Sequence, residues 1–223
     1  MEDWSLNIKN EKFDKIYGDY LYSQTSVMKF YISTVVLAKH IKFDPEIFDV
    51  QVRASFNFNE SATAIQTIGE INSEIQSGDY IQLSRSLAMQ SMVHNFVDLF
   101  LELRKYLNLD VQEIKKSFIT KQSITIKPSA LKIAKHIDTK YDLNSLLADD
   151  ERMCWINSII NLRHMFIHER GLFSENYRED MFGKWTGLHS RDRIEFNEND
   201  IDSIYWYLNF HVRNFIDKLS EKI

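Results

Sequence analysis

Apolar residues recur at three- and four-residue steps along most of this chain, the spacing of one face of an α-helix. From Glu11 to Lys42 the pattern is carried by Ile16, Tyr20, Val27, Phe30, Tyr31, Thr34, Val35 and Ala38, and Asp44-Pro45 ends it. Pro45 suits the first turn of a following helix. Phe48, Val52, Phe56, Ala62, Ile65, Ile68 and Ile71 extend a helical expectation over 46–76, with Asn57-Phe58-Asn59 as its weak point and Ser77-Gly78-Asp79 as the turn after it.

Residues 80–107 give the strongest pattern, through Leu83, Leu87, Met92, Phe96, Leu99, Phe100, Leu103 and Leu107. The apolar arc is wide, as expected for the central helix of a bundle. Asp110 is placed to cap a short helix to about Phe118. Residues 119–127 alternate and read as an extended linker, and Pro128-Ser129 opens a helix to about Lys140. A further helical pattern begins near Leu147 and is stopped by Gly171, with Asp149, Asp150 and Glu151 at or just inside its start, where the helix dipole favours carboxylates. Residues 172–197 have no helical period and contain Gly183 and Gly187, so they read as one long irregular loop, pinned by Trp185 and Phe196. Asn199 or Asp200 is the expected cap of a last helix bearing Ile204, Leu208, Val212, Phe215, Ile216 and Leu219. The expected fold is one all-α domain over 1–223, with 80–223 as its core and 1–76 as an N-terminal helical extension.

Composition sharpens this. Six Gly and two Pro in 223 residues favour long helices over a many-turned β-protein. The single cysteine, Cys154, leaves no internal disulfide and no cysteine-based zinc cluster. The start, Met1-Glu2-Asp3-Trp4, lacks the basic region and apolar stretch of a signal peptide, and no apolar run reaches membrane-spanning length, so a cytoplasmic protein with no membrane partner is expected. The net charge of −5 argues against a protein that coats nucleic acid generally, yet residues 104–140 hold nine Lys/Arg against three Asp/Glu. Lys115, Lys116 and Lys121 in that segment are candidates for contacting a polyanion.

The candidate chemistry lies at the end of the 150–170 helix, in Asn161-Leu162-Arg163-His164-Met165-Phe166-Ile167-His168-Glu169-Arg170-Gly171. On an ideal helix Trp155, Ile156, Ile159, Leu162, Phe166 and Ile167 share one arc, with Arg163 inside it; Asn157, Asn161, His164 and His168 form a polar stripe beside it. A buried arginine needs a carboxylate, an interface or a cleft, and Asp98 and Glu102 are the candidate partners. Arg163 and His168 fall about 140° apart, so one helix does not put them on one face.

The Arg163-x4-His168 element, with a polar residue second, Gly171 after it and a long C-terminal helix, resembles the signature of the HEPN superfamily of all-helical domains. The resemblance covers about 80–222. It implies a HEPN-like bundle, a homodimer whose two Arg-His elements line one cleft, and metal-independent cleavage of RNA in a toxin–antitoxin or phage-defence setting, with an antitoxin or other neutralising protein as a further partner. By that likeness His168 transfers protons, Arg163 holds the scissile phosphate, and His164 orients phosphate or His168. Asn161, Arg170 and a His94–Asp98 pair are supporting candidates. Attack by the ribose 2′-OH would leave a 2′,3′-cyclic phosphate and a 5′-OH end. The alternative is a catalytically inactive HEPN-like dimer that binds RNA, nucleotide or a partner protein. The family's antitoxin-modified members carry a tyrosine two residues after the histidine; here that residue is Arg170, which puts this form of control in doubt. No cofactor and no metal are expected: the zincin pattern needs Glu where Met165 stands, and no Gly-rich phosphate loop is present.

Overall fold

The computed structural model describes residues 4–55, 63–116, 129–145 and 150–223. Helices dominate it, and the fold is all-α. The first helix, α1 (Glu11–His40), starts where the Asn10 side chain accepts a hydrogen bond from the Phe13 N–H at 3.1 Å. A single turn at Pro45–Ile47 follows, capped by Asp44.

The helix expected over 46–76 forms only in part. Strands β1 (Gln51–Ser55) and β2 (Thr63–Thr67) pair antiparallel, with Arg53 opposite Ile65, and α2 covers Ile68–Ser77. The β-branched residues Val52, Thr63, Ile65 and Thr67 favour extended backbone. A short apolar run does not separate strand from helix by spacing alone. Thr67 fixes the switch. Its hydroxyl accepts from the Glu70 N–H while the Glu70 carboxylate accepts from the Thr67 N–H, a reciprocal cap that starts α2 there and no earlier. The Asn57–Asn59 weak point lies outside the described residues.

Gly78, at φ +84, turns the chain from α2 into α3 (Asp79–Tyr106). This is the central helix. α1 runs antiparallel along it: the Phe13 ring stacks on Tyr106 at 5.6 Å, and the buried Gln24 amide donates to the Met92 carbonyl at 3.1 Å. α4 (Val111–Lys116), α5 (Ala130–Lys140), α6 (Asp150–His168) and α7 (Glu198–Ser220) complete the bundle. Met89, Met92, Phe96, Phe100 and Leu103 of α3 meet Ile133 and Ile137 of α5, Ile159 and Leu162 of α6, and Ile204, Val212 and Phe215 of α7 in one core. α1 buries Phe13, Tyr17, Tyr20, Met28 and Tyr31 in that same core, so the peripheral part of the N-terminal region is the hairpin and α2. Leu83 and Leu87 lie off the core, 56% and 47% exposed.

Residues 172–197 are irregular, with short 3-10 helices at Glu175–Asp180 and Gly183–Gly187. Trp185 and Phe196 are buried and hold the segment down, ring edge to ring face at 6.2 Å. Arg178 stiffens it by donating to the Glu175 carboxylate and to the Thr186 and Leu188 carbonyls. The cap of α7 is Asn197, not Asn199 or Asp200 as expected; Asp200 answers it from the third helical position. Among the described residues no helix is long and apolar enough to cross a membrane.

Candidate functional site

α6 keeps its helical hydrogen bonding through His168 and then stops abruptly. Arg170 (φ +56) and Gly171 (φ +78) both adopt left-handed backbone, and the Gly171 N–H donates to the Met165 carbonyl at 3.1 Å. This is the familiar glycine-terminated helix end, in which a left-handed residue satisfies carbonyls of the last turn. Glycine is needed here for a second reason. A Cβ at 171 would lie 2.9 Å from the Phe166 Cε1, on a ring that stacks against Phe196 at 5.4 Å.

Ile156, Ser158, Ile159, Leu162 and Met165 form the buried side of α6. Arg163 stands at the edge of that side, half-buried, and Ile167 is exposed. The carboxylates expected to neutralise Arg163 do not. Asp98 pairs with His94 at 3.2 Å and Glu102 with Lys105 at 2.6 Å. Both carboxylates line a groove of about 600 Å³ between α1 and α3, with Lys12, Lys15 and Asp19. Among the described residues no carboxylate forms an ion pair with Arg163. The His94–Asp98 pair thus exists, but it is exposed on α3 and its carboxylate lines the α1 groove.

His164 is half-buried and His168 exposed, one turn apart, with near-parallel rings 5.9 Å between centroids. Tyr177 from the irregular segment also lies near-parallel to His164, at 6.4 Å. Burial, then the Arg163 guanidinium, then His168 hold the His164 imidazole below its ordinary range. These influences favour the neutral imidazole, which accepts a hydrogen bond on one nitrogen while donating from the other. Asn161 is half-buried on the same stripe.

Arg163 and His168 remain apart within one chain. Five residues of regular helix put them about 7.5 Å apart along the axis and about 140° around it. Arg170 does not join the histidines, neither of which lines its groove. It lines a groove between α3 and the end of α6 together with Leu83, Gln90, Phe166 and Arg193. Arg193 belongs to this groove and Tyr177 to the histidine stripe, and sequence patterning singled out neither, because both come from the segment without a period. Lys115 and Lys116 end α4, beyond the C-terminal end of α3, whereas α6 ends beside Leu83 near the α3 N-terminus. The axial distance from Leu83 to Tyr106 is about 35 Å, so α4 follows the end of α3 far from the end that α6 meets. Lys121 lies outside the described residues. Among the described residues no cluster of three or more His, Cys, Asp or Glu could hold a metal ion. In comparisons with protein-family models, curated proteins and solved structures, the chain matches none.

Proposed function

We propose that α6 is the catalytic helix of a metal-independent endoribonuclease of HEPN type that works as a homodimer. One observation carries this reading: Arg163, His164 and His168 all lie in the last two turns of α6, none of them buried, and no carboxylate among the described residues forms an ion pair with Arg163. A guanidinium with no paired carboxylate attracts a phosphodiester, and an imidazole serves as either base or acid in proton transfer. Arg163 holds the scissile phosphate and offsets the charge that builds on its oxygens in the transition state. His168 takes the proton from the ribose 2′-OH; the 2′-oxygen bonds to phosphorus as the bond to the 5′-oxygen breaks. The leaving oxygen is protonated by the second copy's imidazole, so one histidine serves as base and the other as acid. The ends are a 2′,3′-cyclic phosphate and a 5′-OH, and DNA, lacking the 2′-OH, is not cut.

The second copy has a surface to meet. Phe30 and Leu37 of α1 are 68% and 65% exposed, and with Leu83 and Leu87 of α3 they leave an apolar ridge next to the groove that holds Arg170. Apolar exposure of this kind marks association surfaces. The toxin–antitoxin or phage-defence setting, and an antitoxin as partner, follow from the family likeness alone. A second reading, a HEPN-like dimer that binds RNA, nucleotide or a partner protein without cutting, draws on the lack of any carboxylate paired with His168 among the described residues. The test is an RNA digest with end-group analysis, with and without EDTA. The parent chain is expected to yield cyclic-phosphate ends in both, and Arg163→Ala and His168→Ala none. Cleavage by either variant at the parent rate overturns the assignment; binding without any cleavage by the parent selects the second reading.

A further inference from the structure

The groove between α3 and the end of α6 holds about 270 Å³. Arg170 and Arg193 both line it, and one pinned piece of backbone delivers both. The Gly171 carbonyl accepts from the Ile194 N–H at 2.9 Å, the Phe173 N–H donates to the Asp192 carbonyl at 2.8 Å, and Leu172 bridges to Arg193. Arg170 is held in left-handed backbone, a conformation that costs an ordinary side chain energy and persists where the surroundings enforce it. The one carboxylate lining the groove is Asp79, 3.8 Å from Arg193; both groups are more than half exposed, so that pair is screened and weak. Arg170 has no ion-pair partner among the described residues. Phe166 and Leu83 supply apolar wall, and the Gln90 amide lies on the α3 side. Two guanidiniums beside an aromatic ring and an aliphatic side chain match one nucleotide unit, with phosphate at one end and sugar or base against the wall.

Arg170 stands two residues past the end of α6 at His168, and Arg163 five residues before it, so the groove lies just beyond the helix end that carries Arg163. We infer that this groove seats a phosphodiester neighbouring the scissile one on the same RNA strand, gripped by Arg170 and Arg193 and bordered by Gln90 and Phe166. The inference rests on the ribonuclease reading for its substrate, and it makes the groove a positioning subsite that sets the register of the strand over Arg163.

The experiment measures binding rather than cleavage. The full chain carrying His168→Ala is titrated with a single-stranded RNA over a range of salt concentrations. For a single strand, each phosphate that a cation no longer neutralises lowers the slope of log affinity against log salt by about 0.7. Arg170→Gln and Arg193→Gln, each in that background, are expected to lower the slope by about that amount and to weaken binding several-fold at low salt. Arg170→Lys is expected to restore the slope but only part of the affinity, because a point charge replaces a planar fork. Lys9→Gln, on the exposed N-terminal lead-in, should change nothing. Unchanged slopes in both Gln variants, with RNA still bound, overturn the subsite and leave the ribonuclease reading standing. Inorganic phosphate displacing RNA at matched ionic strength would mark a general anion site and also overturn it. Failure of the His168→Ala protein to bind RNA at all removes both. A parent chain that binds RNA with the expected slopes but leaves it uncut removes the cleavage assignment alone.

Discussion

Gly171→Ala should destabilise the protein by about 2–3 kcal/mol, and the two parts of that loss are separable. The backbone at 171 sits at φ +78, where a residue with a Cβ costs roughly 1–2 kcal/mol relative to glycine. The new methyl would also lie 2.9 Å from Cε1 and 3.1 Å from Cδ1 of Phe166. That ring is half-buried and stacked on the buried Phe196, so its displacement forfeits an aromatic contact of about 0.5–1.5 kcal/mol. For a chain of this length 1 kcal/mol corresponds to roughly 2–4 °C, so thermal unfolding followed by circular dichroism should show a drop of about 4–12 °C. Urea unfolding should move the midpoint and leave the slope alone. In a Phe166→Ala background the ring is gone and only the backbone cost remains, so Gly171→Ala should cost about 1 kcal/mol less there than in the parent. That coupling is well above the few tenths expected of independent sites. A Gly171→Ala protein as stable as the parent, or strict additivity of the two substitutions, refutes the account of how α6 ends.

Three further outcomes follow from the same geometry. Phe30→Ser with Leu87→Ser should convert a dimer to monomer in sedimentation at micromolar concentration while unfolding stability stays within about 0.5 kcal/mol per exposed site; a parent chain that is already monomeric there removes the ridge as the association surface. The His164 pKa is lowered in the folded state, so folding disfavours its charged form: its penalty is absent above pH about 6.5 and grows as pH falls through the lowered value. His164→Asn should therefore flatten the loss of stability below that pH, measured as the difference from the parent, since burial also lowers His136. Phe215→Ala, at a fully buried site with its ring 5.3 Å from Phe100 in an edge contact, should cost about 3–5 kcal/mol in urea unfolding.

The long helices were legible because each has a stripe of apolar residues longer than any competing pattern. α3 and α7 match their sequence expectation almost to the residue, apart from the cap of α7. The hairpin was not legible. Phe48, Val52 and Phe56 repeat at four residues, and only the pairing of Val52 with Gln66 and the Thr67–Glu70 cap makes the stretch strand and then helix. Leu83 and Leu87 show the same limit on α3: an apolar residue in the right period can face outward where no element covers that side. Within the site, the placement of His164, His168 and Gly171 is local to one helix, so spacing found them. Arg193 and Tyr177 reach it through a segment with no period.

Local pattern in the chain sufficed for its helical character, for the point where α6 ends, and for the arginine and two histidines that share that end, because helix periodicity and the glycine stop act within a few residues. Packing was needed to keep the carboxylates away from Arg163, to bring Arg193 beside Arg170 in a groove, and to make α1 part of the core. Those are contacts between residues far apart in the chain, and they depend on how whole helices meet rather than on any local preference.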